Sequence, residues 1–133
     1  IAGKIAEEMQ KGEHQVILSN ICNGDMVGHT GNIPATIQAV ETVSKALEII
    51  AIEAKKSGYT LLITADHGNC DEMIDQDGNV LSQHSMNPVP FIVIDNEYKK
   101  LNRDHGIMAD IAPTILKILD IKQPEEMTGQ SLI

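Results

Sequence analysis

Two short stretches place an aspartate and a histidine within reach of each other. Asp25 and His29 stand four residues apart in "DMVGH", and Asp66 and His67 are adjacent in "TADHGN". A fifth candidate, His84, lies in "SQHSMNPVPF". Carboxylate combined with neutral imidazole suits borderline divalent ions such as Mn²⁺ or Zn²⁺, whereas all-carboxylate sites favour Mg²⁺ and Ca²⁺ and thiolate sites favour softer ions. Both side chains of "DMVGH" can reach one ion if the segment makes a single turn, and Gly28 permits the tight backbone that this needs. Taken alone, each stretch reads equally as a polar loop whose aspartate caps a turn. Their joint occurrence, with His84 on a third approach, makes them candidates for one metal-binding cleft.

The flanking segments must bring these residues together. "QVILSNI" (15–21) is a short apolar run, read as a buried strand, and it leads into the glycine-rich loop "CNGDMVGHTGN". Pro34 then sits where a first-turn proline is tolerated. Apolar Ile37, Val40, Val43, Leu47, Ile50 and Ala54 follow at steps of three and four, the spacing of an amphipathic helix. Gly58 is placed to end that helix. "YTLLIT" (59–64) is a second strand, running into "ADHGN". Strand, helix, strand predicts a parallel pair joined by a crossover. "EMIDQDGNVLSQHSM" carries an Asp-Gly-Asn turn between short segments and predicts a β-hairpin. "VPFIVID" is a third strand and "MADIAPTILKILDI" a closing helix. The expected fold is α/β, with a mostly parallel sheet, flanking helices and a β-hairpin. Ligand groups in such sheets collect at the carboxyl ends of parallel strands, where both Asp-His stretches would lie.

Composition narrows the partners. The 133 residues are 42% hydrophobic and 22% charged, the balance of a globular domain, and no internal linker or repeat interrupts them. A formal net charge of −9, with only ten scattered Lys and Arg, argues against nucleic acid and against an anionic membrane surface. Cys22 and Cys70 are far apart and form no C-x-x-C motif, which points to a reduced, cytoplasmic setting. No apolar run approaches the roughly 18 residues of a membrane span. The opening "IAGKIAEEMQ" has helical spacing with no initiator methionine and no capping residue ahead of it, so the chain is expected to begin inside a helix, as a fragment.

Other polar residues have simpler readings. His14 fits a surface position, and His105 in "NRDHGIMAD" copies "DHG" without a strand before it, so a loop or cap role is expected. Asp75 and Asp77 in "DQDGN" resemble the start of a calcium loop, but the later acidic ligands are missing and a hairpin turn accounts for them. Cys22 and Cys70 read as small hydrophobes rather than ligands.

The motifs "NGDMVGHTGN", "ITADHGN", "HSMNPVPF" and "MADIAPTILKILDIKQPEEMTGQSLI", in this order, closely resemble the C-terminal part of the cofactor-independent phosphoglycerate mutases of the alkaline phosphatase superfamily. The resemblance covers essentially the whole chain. It implies an alkaline-phosphatase-like three-layer sandwich, present in part, with residues 1–133 forming the C-terminal part of the phosphatase-like metal domain. The earlier part of that domain and an inserted transferase domain would lie outside the chain. It further implies interconversion of 3-phosphoglycerate and 2-phosphoglycerate through a phosphoserine, with two Mn²⁺ ions (or Co²⁺ or Zn²⁺) and no 2,3-bisphosphoglycerate. Asp25, His29 and His84 fall on the ligands of the first ion, and Asp66 and His67 on two ligands of the second. The full-length enzyme is expected to be monomeric. The nucleophilic serine, the remaining metal ligand and the phosphate-holding groups belong to the preceding part of such enzymes, so no catalytic or substrate-binding residue is assigned here. The single arginine, Arg103, agrees with this, because phosphate clamps are normally built from arginine. Two other readings remain: another enzyme of the superfamily, such as a phosphatase or phosphopentomutase, or a non-catalytic metal-binding module.

Overall fold

The computed structural model describes residues 1–98 and 100–133, which divide into two compact units, Ile1–Ile94 and Asp95–Ile133. The sequence gives no compositional sign of the division at Ile94.

In the first unit, α1 spans Ala2–Lys11, α2 Asn23–Gly28 and α3 Ile33–Ser57, followed by β1, Leu61–Thr64, and β2, Phe91–Ile94. The long helix α3 starts and stops where local chemistry dictates. Asn32 caps it by accepting from the Ala35 N–H at 3.1 Å, Pro34 lies in the first turn, and Gly58 closes it in the left-handed conformation at φ 76°. Burial of one stripe then holds it: Met9 of α1 packs against Ile50 and Ala54 of α3, with Ala2, Ile5, Ile17, Ile21, Tyr59 and Leu61 around them. This is the core on which the site rests, since α2 and β1 both leave from it.

The strand order differs from expectation. The segment 15–21 turns Ile17 and Ile21 onto the core while Val16 and Leu18 stay exposed, yet no strand is assigned to it. Ser19, between the two inward residues, is exposed as well, so the run lacks the strict alternation of a half-buried strand. The one ladder among the described residues joins β1 to β2, and it is antiparallel, with Leu61 opposite Ile94 and Thr64 opposite Phe91. The expected parallel pair of 15–21 with 59–64 is therefore corrected: α3 makes the crossover, but no strand forms over 15–21 for β1 to pair with, and β1 pairs with β2 instead. The expected hairpin is reduced to one bridge, Ile74 to Val80. Its turn is tied by Asp75 Oδ1, which accepts from the Asp77 and Asn79 N–H groups at 2.9 and 2.7 Å. That is a turn-forming role for Asp75, as its sequence context predicts.

In the second unit, one 3₁₀ turn, Met108–Asp110, runs into α4, Ile111–Ile118. Asp110 is buried and organises the unit. Its carboxylate accepts from Arg103 Nη2 at 3.0 Å and from the backbone N–H groups of Ile107 and Gln130 at 3.0 and 2.8 Å. The tail is further held by Thr114, whose hydroxyl donates to the Asp110 carbonyl at 2.7 Å and accepts from the Leu132 N–H at 3.0 Å.

Candidate metal centre

The segment read as a loop around Asp25 is a short helix, α2, and this decides the geometry. Residues i and i+4 share one helix face, so Asp25 and His29, which follows the last helical residue, project together; the His29 N–H donates to the Asp25 carbonyl at 3.1 Å. Gly28 has no left-handed backbone. Its requirement is space: a Cβ there would lie 2.1 Å from Asn69 Oδ1 and 3.3 Å from Cys70 Sγ. The glycine lets the turn after β1 close onto α2.

The antiparallel ladder brings in the third residue. Because Thr64 pairs with Phe91, the chain leaving β1 and the chain approaching β2 run side by side, and a bridge between Gly68 and Ser85 continues that pairing beyond the strands. His67 and His84 are thereby stacked, ring centroids 3.5 Å apart and planes 18° from parallel.

The result is a triangle of donor atoms. Asp25 Oδ1 lies 3.2 Å from His29 Nε2 and 3.2 Å from His84 Nε2, and the two imidazole nitrogens are 3.1 Å apart. His29 Nδ1 lies 2.6 Å from the Ser82 carbonyl. A carbonyl only accepts, so Nδ1–H donates and the neutral ring keeps its Nε2 lone pair turned into the triangle. An ion held at about 2.0–2.2 Å by nitrogen and oxygen donors separates neighbouring donors by roughly 3.0–3.5 Å. All three edges fall in that range, so the donor set fits a divalent cation. Asp66 and His67 stand beside it: His67 Nε2 is 4.0 Å from Asp25 Oδ1 and 3.6 Å from Asp66 Oδ1, and Asp66 is largely exposed. The five residues singled out in the sequence thus form a three-donor cluster with an adjoining open pair.

Sequence reasoning missed the groups that hold this cluster. Asn69 is 7% exposed, and its Nδ2 donates to Asp25 Oδ1 at 3.1 Å. Its place directly after "DHG" was a usable signal, because a buried amide needs a partner. The Ser82 carbonyl had no signal, since any residue type offers one. Cys70 stays outside the donor set. Burial, with Asp25 and then Asp71 adding to it, pushes its thiol upward, and the S–H donates to the Gly24 carbonyl at 3.1 Å. His14 lies on the surface, 3.4 Å from Glu8, and His105 is exposed outside any helix or strand. Arg103 is committed to Asp110 and to the Gln130 carbonyl, 2.9 Å away.

A family model described as the metalloenzyme superfamily matches residues 1–123. The chain belongs to the metalloenzyme superfamily. Among curated members, the 2,3-bisphosphoglycerate-independent phosphoglycerate mutase of Thermosynechococcus vestitus is 50% identical over 97% of this chain and 26% of its own length. The protein of the same name from Rippkaea orientalis is 49% identical over 94% of this chain and 25% of its own length. The chain thus spans about a quarter of the curated relatives that it matches. Among solved structures, a phosphoglycerate mutase of Leishmania mexicana, determined at low cobalt concentration, superposes with a TM-score of 0.88 at 30% identity, over 98% of this chain and 27% of its own. This metalloenzyme-superfamily chain has the α/β fold of that mutase, in partial form.

Proposed function

We propose that this chain is the C-terminal part of the metal-binding domain of a cytoplasmic, monomeric, 2,3-bisphosphoglycerate-independent phosphoglycerate mutase, which interconverts 3-phosphoglycerate and 2-phosphoglycerate. The observation that carries the proposal is the donor triangle of Asp25, His29 and His84, found in a chain 50% identical to a mutase of that name. Further support comes from α3, where Ile37, Val40, Ile49 and Ile52 are about half exposed. Apolar side chains on that many faces suit a helix covered by more protein than these residues supply.

On this reading Asp25, His29 and His84 hold one Mn²⁺, and Asp66 and His67 supply two ligands of a second, completed by the remainder of the enzyme. Such a pair of ions supplies charge stabilisation for the transferring phosphoryl group and helps to ionise a hydroxyl nucleophile at neutral pH. The residues of this chain perform the holding. Asp25 contributes the negative charge, His29 is fixed in one tautomer by Ser82, and the ring of His84 is braced by that of His67. The nucleophilic serine and the phosphate clamp come from outside the chain, in keeping with Arg103 being occupied structurally.

The test uses the full-length protein. With Mn²⁺ it should interconvert the two phosphoglycerates without added bisphosphoglycerate, and failure to do so removes the substrate assignment. His84→Ala should abolish turnover and remove one high-affinity Mn²⁺ site from an equilibrium titration, and a variant that keeps both would reject the ligand role.

A further inference from the structure

His84 sits in a stretch, 82–87, that belongs to no helix or strand, yet its ring must stay within about half an ångström of a productive position for a metal site to work. The contacts around it supply that precision. The Ser85 N–H donates to the Gly68 carbonyl at 2.9 Å, which fixes the height of the stretch against the turn after β1. Its direction is set by side chains, and these converge on one oxygen. Asp71 Oδ2 accepts from Ser85 Oγ at 2.8 Å and from Asn87 Nδ2 at 2.6 Å. Asn87 also donates to Glu72 Oε2 at 3.3 Å, and its own N–H donates to Ser85 Oγ at 3.4 Å. The site of closest approach is Gly68, where a Cβ would meet Ser85 Oγ at 2.2 Å and Asp71 Oδ1 at 2.7 Å.

We propose that Asp71 is a positioning residue for His84: through Ser85 and Asn87, the first and third residues after it, Asp71 pins the C-terminal side of the 82–87 stretch and so sets the third corner of the donor triangle. Asp71 touches none of the donors; its effect reaches them through the backbone of its two partners. A carboxylate suits the task, because one ionised oxygen accepts two charge-assisted bonds at once. The Asn87 amide, and secondarily the Ser85 hydroxyl, hold the Asp71 carboxyl below its ordinary value, so it stays ionised at neutral pH. The same turn already holds Asp25 through Asn69, so residues 69–71 brace two of the three corners.

This rests on the metal-site reading but not on the substrate assignment, and the experiment separates the two. Full-length protein stripped of metal is titrated with Mn²⁺ alone, free ion being followed by electron paramagnetic resonance, for wild type, Asp71→Ala, Asp71→Glu and Ser85→Ala. Supporting partners outside the ligand set typically change metal affinity by about tenfold to a hundredfold. Asp71→Ala should weaken one of the two ions by that factor and leave the other unchanged, and Asp71→Glu should recover most of the loss. In turnover assays, kcat of Asp71→Ala should be regained at raised Mn²⁺ while KM for phosphoglycerate stays at the wild-type value. Equal Mn²⁺ affinity in Asp71→Ala and wild type overturns the proposal, as does a loss in both alanine variants that Asp71→Glu leaves unrepaired. If Asp71→Ala does not fold, Ser85→Ala decides: weakened binding of one ion supports the proposal, and wild-type binding overturns it. Wild-type protein that binds no Mn²⁺ removes the metal-site reading itself. Protein that binds Mn²⁺ without mutase activity removes only the substrate.

Discussion

At the scale of single residues, the site depends on a few contacts whose partners are far apart in sequence. Gly28 is the clearest case. The sequence suggests a glycine that eases a tight turn, but its backbone is helical and what it provides is room for the Asn69 amide. Gly28→Ala should therefore push Asn69 from Asp25 Oδ1. Overpacking of this kind costs about 1–3 kcal/mol of stability. The more telling outcome is in metal binding, where affinity for one Mn²⁺ should fall by about tenfold or more in an equilibrium titration; unchanged affinity would mean that Asn69 does not orient the ligand. The five donor candidates were legible from residue type and from their pairing in short stretches of sequence. Asp71, Ser85 and Asn87 were not, since hydrogen bonds across 14 and 16 residues, from Ser85 and Asn87 to Asp71, leave no local pattern.

Elements show a different balance. The boundaries of α3 were readable from Pro34 and Gly58, which act within a turn of their own positions; the Asn32 cap is local chemistry too, but only the structure brought it out. Strand order was not readable, because pairing is decided by which connection can return the chain. In the second unit, the short α4 is anchored through Asp110, whose carboxyl is held below its ordinary value of 3.8 by the Gln130 and Ile107 N–H groups and by Arg103. A depressed carboxyl contributes stability above the unfolded value and loses it as pH falls through the lower folded value. Asp110→Asn should accordingly be less stable than wild type at pH 7, and the difference should shrink as pH falls below about 3.8. Chemical denaturation at a series of pH values measures this, and a gap that stays constant down to pH 2 would reject the linkage.

For the whole molecule, the proposed metal site predicts a coupling between metal and fold. Three separate segments supply the cluster: α2 and its following residue, the turn after β1, and the 82–87 stretch, which also braces His29 through Ser82. An ion that binds only when these are assembled must stabilise the folded state. At a free Mn²⁺ concentration about a hundredfold above the dissociation constant, the gain is roughly 2.7 kcal/mol. Removing metal from the full-length enzyme with a chelator should lower Tm, and Mn²⁺ should restore it in wild type but only in part in His84→Ala. A Tm indifferent to Mn²⁺ would contradict an assembled site. Leu18 is 93% exposed in a stretch whose neighbours Ile17 and Ile21 pack inward.

By itself, the sequence determined the ligand types, the long helix α3 with its C-terminal glycine, the acidic net charge, and the resemblance to phosphoglycerate mutases. Each of these is written in residue identity or in a spacing of a few positions. Only the tertiary structure decided that β1 and β2 run antiparallel, that this register stacks His67 on His84, and that Asn69 and Asp71 brace the donor triangle. Those outcomes follow from long-range pairing and close packing, where an atom's role is fixed by which distant surface arrives beside it.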